Sequence, residues 1–468
     1  MPGLLGKRPW FRLLLAAAAM AASAVSVSAA EPEALPALDL APLAILGERI
    51  GNGREAIKKR GIEIGVSYIG DVLSNLKGGL RRGTVYQGRL DVQVDADLGT
   101  LMGRDGLSFH ANAYQIHGTG LSRYYVGNLA TVSGIEALPA TRLHELWFEQ
   151  AFLDKAVTVR AGKLAADAEF FVSPSATLFM NATFGWPVIA ATNLPSGGPA
   201  APLAAPGIRA KWNPTEQTTL MLGLFSGDPA GRGVGTEGLD PQRRNPDGTD
   251  FSLRGEPFAI AEAAYRYTLD TPGPERTGTV KVGYFHHFGK FDDPHFDTLG
   301  GSLADPASNG VPRRRRGDDG IYGLIDQTLY REDASSDRGA AAFVRVAASP
   351  NATSLVDFYA DAGLVYKGLL PGRPADVTGI SIAYSQIARG VQAYDRDLIL
   401  LQEHAIPVHR SETVVELSYQ AVVAPGFTIQ PDVQFIKSPG GHTWNPRRQT
   451  FSRIKDSAVI GIRATIQY

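Results

Sequence analysis

From Arg89 to Leu98 the side chains change character at every step: Leu90, Val92, Val94, Ala96 and Leu98 are apolar, while Arg89, Asp91, Gln93, Asp95 and Asp97 carry a charge or an amide. Successive strand residues point to opposite faces, so this segment presents aliphatics on one side of a sheet and water-seeking groups on the other. The C-terminal segment repeats the design, with Ala458, Ile460, Ile462, Ala464, Ile466 and Tyr468 set against Gly461, Arg463, Thr465 and Gln467. A strand that separates two environments and ends on an aromatic ring suits a membrane interface. The period returns in Ile62, Ile64, Val66 and Tyr68, and along nearly the whole chain.

The pattern predicts an all-β fold, a transmembrane antiparallel β-barrel of about 16 strands with a short N-terminal periplasmic helix. Strands are expected near 61–73, 84–98, 106–117, 142–153, 155–164, 206–214, 217–226, 257–269, 277–289, 319–331, 338–349, 354–367, 375–388, 411–424, 426–437 and 456–468. Long polar connections at 118–141, 165–205, 227–256, 290–318, 389–410 and 438–455 alternate with tight turns such as Asp154-Lys155 and Pro425-Gly426. Short turns at one end and long loops at the other describe a bacterial outer-membrane barrel. After residue 30 no apolar run reaches the roughly 18 residues that a membrane helix needs, so any span is a strand. A barrel this wide leaves an aqueous channel. An arginine or lysine facing mid-bilayer lipid would cost roughly 2–4 kcal/mol, so the charged faces belong to the lumen.

Lys7, Arg8 and Arg12 precede the apolar run 13–22, and Ser28, Ala29 and Ala30 offer a cleavage site before Glu31. That is the layout of a secretory signal peptide over 1–30. Residues 31–60 are expected to form a periplasmic lead-in, with Leu43, Leu46, Ile50 and Ile57 at helical spacing in a helix over 43–60. Residues 61–468 are expected to form the barrel. The chain carries 46 lysines and arginines against 47 acids, and the signal segment holds three of those bases and no acid. The exported part is therefore mildly acidic, and nucleic acid is not an expected partner. The absence of cysteine excludes disulfides and thiolate metal sites.

Several stretches together resemble the carbohydrate-selective porin family usually called OprB. They are Gly78-Gly79-Leu80-Arg81-Arg82-Gly83-Thr84, Gln115-Ile116-His117-Gly118, Glu145-Leu146-Trp147-Phe148-Glu149-Gln150, Ala168-Glu169-Phe170-Phe171, Gly363-Leu364-Val365-Tyr366-Lys367-Gly368-Leu369 and Pro371-Gly372-Arg373-Pro374. The likeness runs from about residue 45 to the C-terminus. It implies a single sixteen-stranded channel admitting neutral sugars, with a periplasmic helix before the first strand. Tyr468 stands where the family usually ends on phenylalanine.

The connection 165–205 holds Asp167, Glu169, Phe170, Phe171, Phe179, Asn181, Phe184 and Trp186, too apolar for a freely solvated loop, and is expected to fold into the lumen and narrow it. Sugar passage calls for hydrogen-bonding groups that replace hydration and for flat aromatic faces. The expected constriction residues are Arg89, Asp91, Glu145, Glu149, Arg160, Lys163, Asp167 and Glu169, with Trp147 or Trp186 as stacking surfaces. The plainer alternative is that these charges solvate a wide lumen. Glu262, Arg345, Asp357, Asp361 and Glu416, on later strands, read as general wall.

Other motifs favour ordinary readings. The glycines of Gly233-Val234-Gly235-Thr236-Glu237-Gly238 mimic a dinucleotide loop, but the following Asp240-Pro241 is not expected to open a helix. His286 and His287 point to opposite faces of a strand and cannot share a metal ion. Asn245, Asp247 and Asp250 read as a turn rather than a calcium loop. Arg313 to Arg316 read as a solvated loop, with lipopolysaccharide phosphate as the functional alternative. No catalytic, metal or cofactor site is expected. The expected partners are small sugars and outer-membrane lipid; lipopolysaccharide contact and a homotrimer stay open. The rival functions are a general or anion-preferring porin, a barrel-type outer-membrane hydrolase and an exported glycan-binding sandwich.

Overall fold

The computed structural model describes residues 54–231, 239–253, 255–270, 272–403, 406–447 and 452–468. The expected signal peptide and most of the lead-in lie outside these; of the helix expected over 43–60, residues 54–58 are helical. The chain divides into units 1–56 and 57–468, and all the strands belong to the second.

Sixteen strands form: β1 Ile62–Gly79, β2 Gly83–Asp97, β3 Leu107–Gly118, β4 Ala140–Phe152, β5 Val157–Leu164, β6 Ala205–Trp212, β7 Thr218–Ser226, β8 Pro257–Leu269, β9 Arg276–Asp297, β10 Pro312–Arg331, β11 Gly339–Ala348, β12 Val356–Lys367, β13 Val377–Ile387, β14 Ser411–Ala424, β15 Phe427–Lys437 and β16 Lys455–Gln467. Each pairs antiparallel with its sequence neighbour, and β1 pairs with β16 to close the barrel, so no edge is left unpaired. The alternation sets which face is wet. On β16, Ile460 and Ile462 are exposed outward while Val459 is fully buried, and Arg463 reaches Asp71 of β1 at 2.8 Å inside. Asp91 and Asp95 share the inward face with their register partners Tyr114 and His110.

The start of β1 and the end of β16 lie at the same end as the short turns, as in outer-membrane barrels. Local chemistry fixes those turns. Asp97 accepts from the amides of Gly99 and Thr100 to cap the helix Leu98–Met102, and Gly103 ends it at φ 68°. At the other end, connections 119–139 and 165–204 turn inward. Phe170, Phe171, Phe179, Phe184 and Trp186 bury themselves against Phe225, Phe258, Phe285, Tyr322, Phe343 and Tyr359. Each such ring is worth roughly 1.5–3 kcal/mol of burial, enough to hold a loop away from solvent. Part of the interior is therefore a packed core.

Three local expectations change. The connection expected at 290–318 is mostly strand, because β9 and β10 run on past the barrel body and Arg314, Arg315 and Arg316 sit in register with Asp292, Phe291 and Lys290. Four arginines in a row hide any two-residue period. Asp240-Pro241 does open a short helix, Pro241–Arg244, since proline is suited to the first helical position and Asp240 accepts from the Gln242 amide. The connection expected to be polar loop at 389–410 contains the helix Arg389–Gln402. The glycine motif at 233–238 lies outside the described residues. Asp247 accepts from the Thr249 amide in a turn. His286 joins Asp319 on the outward face while His287 points inward to Gly227.

Candidate functional site

The inward loop is held by charges from the strands behind it. Arg345 on β11 is fully buried, pairs with Asp361 of β12 at 2.5 Å, and donates to the carbonyl oxygens of Phe171, Thr183 and Phe184 at 3.0 Å. Glu262 on β8 accepts from the Phe171 amide at 2.9 Å, and Glu416 on β14 from the amides of Met180 and Asn181 at 2.5 and 3.1 Å. Asp326 takes up Ser173 and Ser175. The first inward connection is held the same way, with Glu412 accepting from the amides of Leu129 and Ala130, both at 2.8 Å. Irregular backbone inside a barrel needs partners for its polar groups, and these side chains supply them. Glu262, Arg345, Asp361 and Glu416 are thus loop anchors rather than general wall; Asp357 binds the Arg389 amide at 3.2 Å, at the entry to the helix Arg389–Gln402.

The opposite wall, β2 to β6, pairs its charges with one another and with Glu169 at the start of the inward loop. Arg160 donates to Glu149 at 3.1 Å and lies 3.6 Å from Glu169. Arg209 on β6 bridges the same two carboxylates, at 2.6 Å to Glu149 and 2.7 Å to Glu169. Two cations and two carboxylates therefore alternate in a closed ring. Sequence reasoning missed Arg209, although its register opposite Arg160 places it on the inward face. Trp147 is flanked by His110 at 4.8 Å between ring centroids and by the Arg160 guanidinium at 3.6 Å. His110 in turn meets Asp95 at 2.7 Å.

Nearer the long loops, Arg89 lies over the Tyr114 ring at 4.4 Å, Asp91 accepts from Asn112 at 2.6 Å, and Glu145 accepts from the Ala165 amide at 3.0 Å. Asp167, on the inward loop, accepts from the Ala201 amide at 2.9 Å. Burial pushes its carboxyl up to about 6, against the pull of Arg89. Arg89, Tyr114, Glu136 and Pro202 line a gap of about 10 Å³, and Glu136 also borders a cavity of about 700 Å³ among the outer connections, with Arg81, Thr119 and Tyr124. Burial raises the Glu136 carboxyl as well, opposed by the amides of Arg123 and Ser122 that it caps.

The structure thus gathers Glu149, Arg160, Glu169 and Trp147 in one cluster and Arg89, Asp91, Glu145 and Asp167 in a second above it. Lys163 and Trp186 join neither. Lys163 stands opposite Leu146, outside the inward register, and its ammonium binds the carbonyl oxygens of Leu143 and Gly248. Trp186 is folded into the loop core, its indole N–H on Gly197 at 3.0 Å and its ring against Phe171, so it offers no open stacking face.

A closed sixteen-strand barrel, apolar outside, charged inside and narrowed by inward loops, is an outer-membrane porin. Residues 81–468 match the family described as carbohydrate-selective porin, OprB family. Porin B of Pseudomonas aeruginosa is 23% identical over 414 residues, covering 84% of this chain and 86% of that protein. The putative porin QuiX of Acinetobacter baylyi is 22% identical over 417 residues, covering 84% and 88%. In fold, the high-pH structure of Pseudomonas putida OprB aligns with a TM-score of 0.77 at 22% identity, over 90% of this chain and 97% of that one. The low-pH structure of the same protein aligns with a TM-score of 0.52 at 16% identity, over 90% and 96%. The chain belongs to the carbohydrate-selective porin, OprB family, and is a bacterial outer-membrane channel for carbohydrates.

Proposed function

We propose that the β2 to β6 wall is the sorting surface, and that small neutral saccharides diffuse passively between it and the anchored loop, without chemical turnover. The observation that carries this reading is the balanced ring of Arg160, Glu149, Arg209 and Glu169. Its charges are satisfied internally, so it presents polar edges without a net field that would favour a free anion or cation. Arg160 and Glu149 each keep part of their side chains exposed, and a passing hydroxyl can meet these polar edges in exchange for its hydration. Arg89, Asp91, Glu145 and Asp167 form the approach to this surface. The balance disfavours an anion-preferring pore.

The reading extends to a homotrimer in the membrane and to lipopolysaccharide against the barrel's outer face. Light scattering in detergent tests the first. For the sorting surface, planar-bilayer conductance with added sugar is the decisive measurement, alongside liposome swelling with sugars and amino acids of matched size. Sugars should enter faster than amino acids and should block the ion current. Equal swelling rates with no block would turn the reading toward a general porin.

A further inference from the structure

The outward face of the β9–β10 hairpin carries a charge conflict that the barrel leaves unrelieved. Arg316 stands directly opposite Lys290, and both are exposed. Like charges in direct cross-strand register destabilise a sheet. Nearby acids are already engaged: Asp292 pairs with Arg314 at 3.1 Å, and Asp293 is turned inward to Arg315 at 2.6 Å. Toward the barrel body, Asp319 is held by Tyr284 and by His286 at 2.7 Å. Among the described residues, Lys290 and Arg316 have no carboxylate partner. Below them on the same face lie Phe288, Tyr284, Val282 and Ile321, all exposed, an aromatic and aliphatic band of the kind that marks a membrane interface. The cations therefore sit where headgroups meet acyl chains.

We propose that Lys290 and Arg316, with Arg314 at the rim, bind the phosphate of a phosphorylated glycolipid in the outer leaflet. Arginine can grip two phosphate oxygens while lysine supplies a point charge, so one phosphate between them turns a repulsive pair into a bridged one. Phe288 and Ile321 then lie against the acyl chains. The site rests on the membrane-embedded porin reading but is independent of sugar preference, because these side chains face away from the lumen.

The test uses the full-length barrel in detergent, titrated with bisphosphorylated lipid A and with the same lipid dephosphorylated, with binding read by native mass spectrometry. The Lys290→Gln, Arg316→Gln double variant should bind the phosphorylated lipid about tenfold or more weakly than the parent, while weak binding of the dephosphorylated lipid should not change. Arg316→Glu creates an attractive pair with Lys290. That barrel should keep its heat-modifiable gel migration without lipid and still lose tight binding, which separates loss of the site from loss of the fold. Sugar-driven liposome swelling should be the same in all variants. Parent-like affinity in the double variant, or equal parent affinity for both lipids, would overturn the proposal.

Discussion

Two stretches of the same inner wall use their charges in opposite ways. From β8 to β15, Glu262, Asp326, Arg345 and Glu416 are tied to the loop that covers them, largely through its backbone amides and carbonyls. From β4 to β6, Arg160, Glu149 and Arg209 are satisfied by one another and by Glu169 at the start of that loop, around a polar surface. Strand alternation produces both, since each charge simply avoids lipid. What separates them is what the loop presents: its apolar body settles against one side and desolvates it, while its first turn gives Glu169 and the Ala165 amide to the other. A lumenal charge is therefore a loop anchor or an open polar group according to what covers it, and its residue type does not tell.

The largest way to break this contrast is to cut the anchor. Arg345→Met leaves Asp361 buried and uncompensated, at a cost of about 3–5 kcal/mol, so the barrel should unfold at a lower temperature and the loop should come free. Larger single-channel conductance together with loss of sugar block is the expected readout; unchanged conductance would show that Arg345 does not hold the loop. Glu416→Gln is milder, about 1–3 kcal/mol, because an amide oxygen can replace only part of the carboxylate's acceptor capacity for Met180 and Asn181. Faster proteolytic nicking within 165–204 with the barrel intact measures it.

On the other wall, Arg160→Ala and Arg89→Ala should leave the barrel folded, shift ion selectivity toward cations and weaken sugar block. Unchanged values in both would remove them from the sorting surface. The smallest effect concerns pH. Asp167, with its carboxyl pushed up to about 6, is neutral below that value and charged above it, so cation preference should fall as pH drops through about 6. Because folding raises this carboxyl above its ordinary value, its ionised form works against the loop's seating. That contribution favours the loop at low pH and is lost as pH rises through about 6. In Asp167→Asn both dependences should disappear, and a persisting midpoint would assign them to another group.

Much of the fold could be read from alternation alone, and nearly every expected strand matches an observed one within a few residues. The misses have a common cause. Arg313 to Arg316 show no two-residue period, so their extension of β10 became visible only through pairing with β9. At the candidate site, Glu149, Arg160 and Glu169 were legible as inward or loop charges, but Arg209 was passed over until the register set it opposite Arg160. Trp186 misled because an aromatic ring in a lumenal loop looks like a stacking surface. Its burial against Phe171 is a packing outcome that composition cannot show.

The sequence by itself determined that this chain is built of strands with one greasy and one wet face, because a two-residue period hides five aliphatics and solvates five polar groups at once, and the number of such strands and their alternating short and long connections pointed to a barrel. It also determined that the connection 165–204 would leave the solvent, since its rings are too numerous to stay there. Only the tertiary structure decided which wall that loop would cover. The side it chose is set by a fully buried Arg345, meeting a backbone group 174 residues away along the chain, and by carboxylates whose partners lie 91 to 236 residues away, contacts that exist only once the barrel has closed.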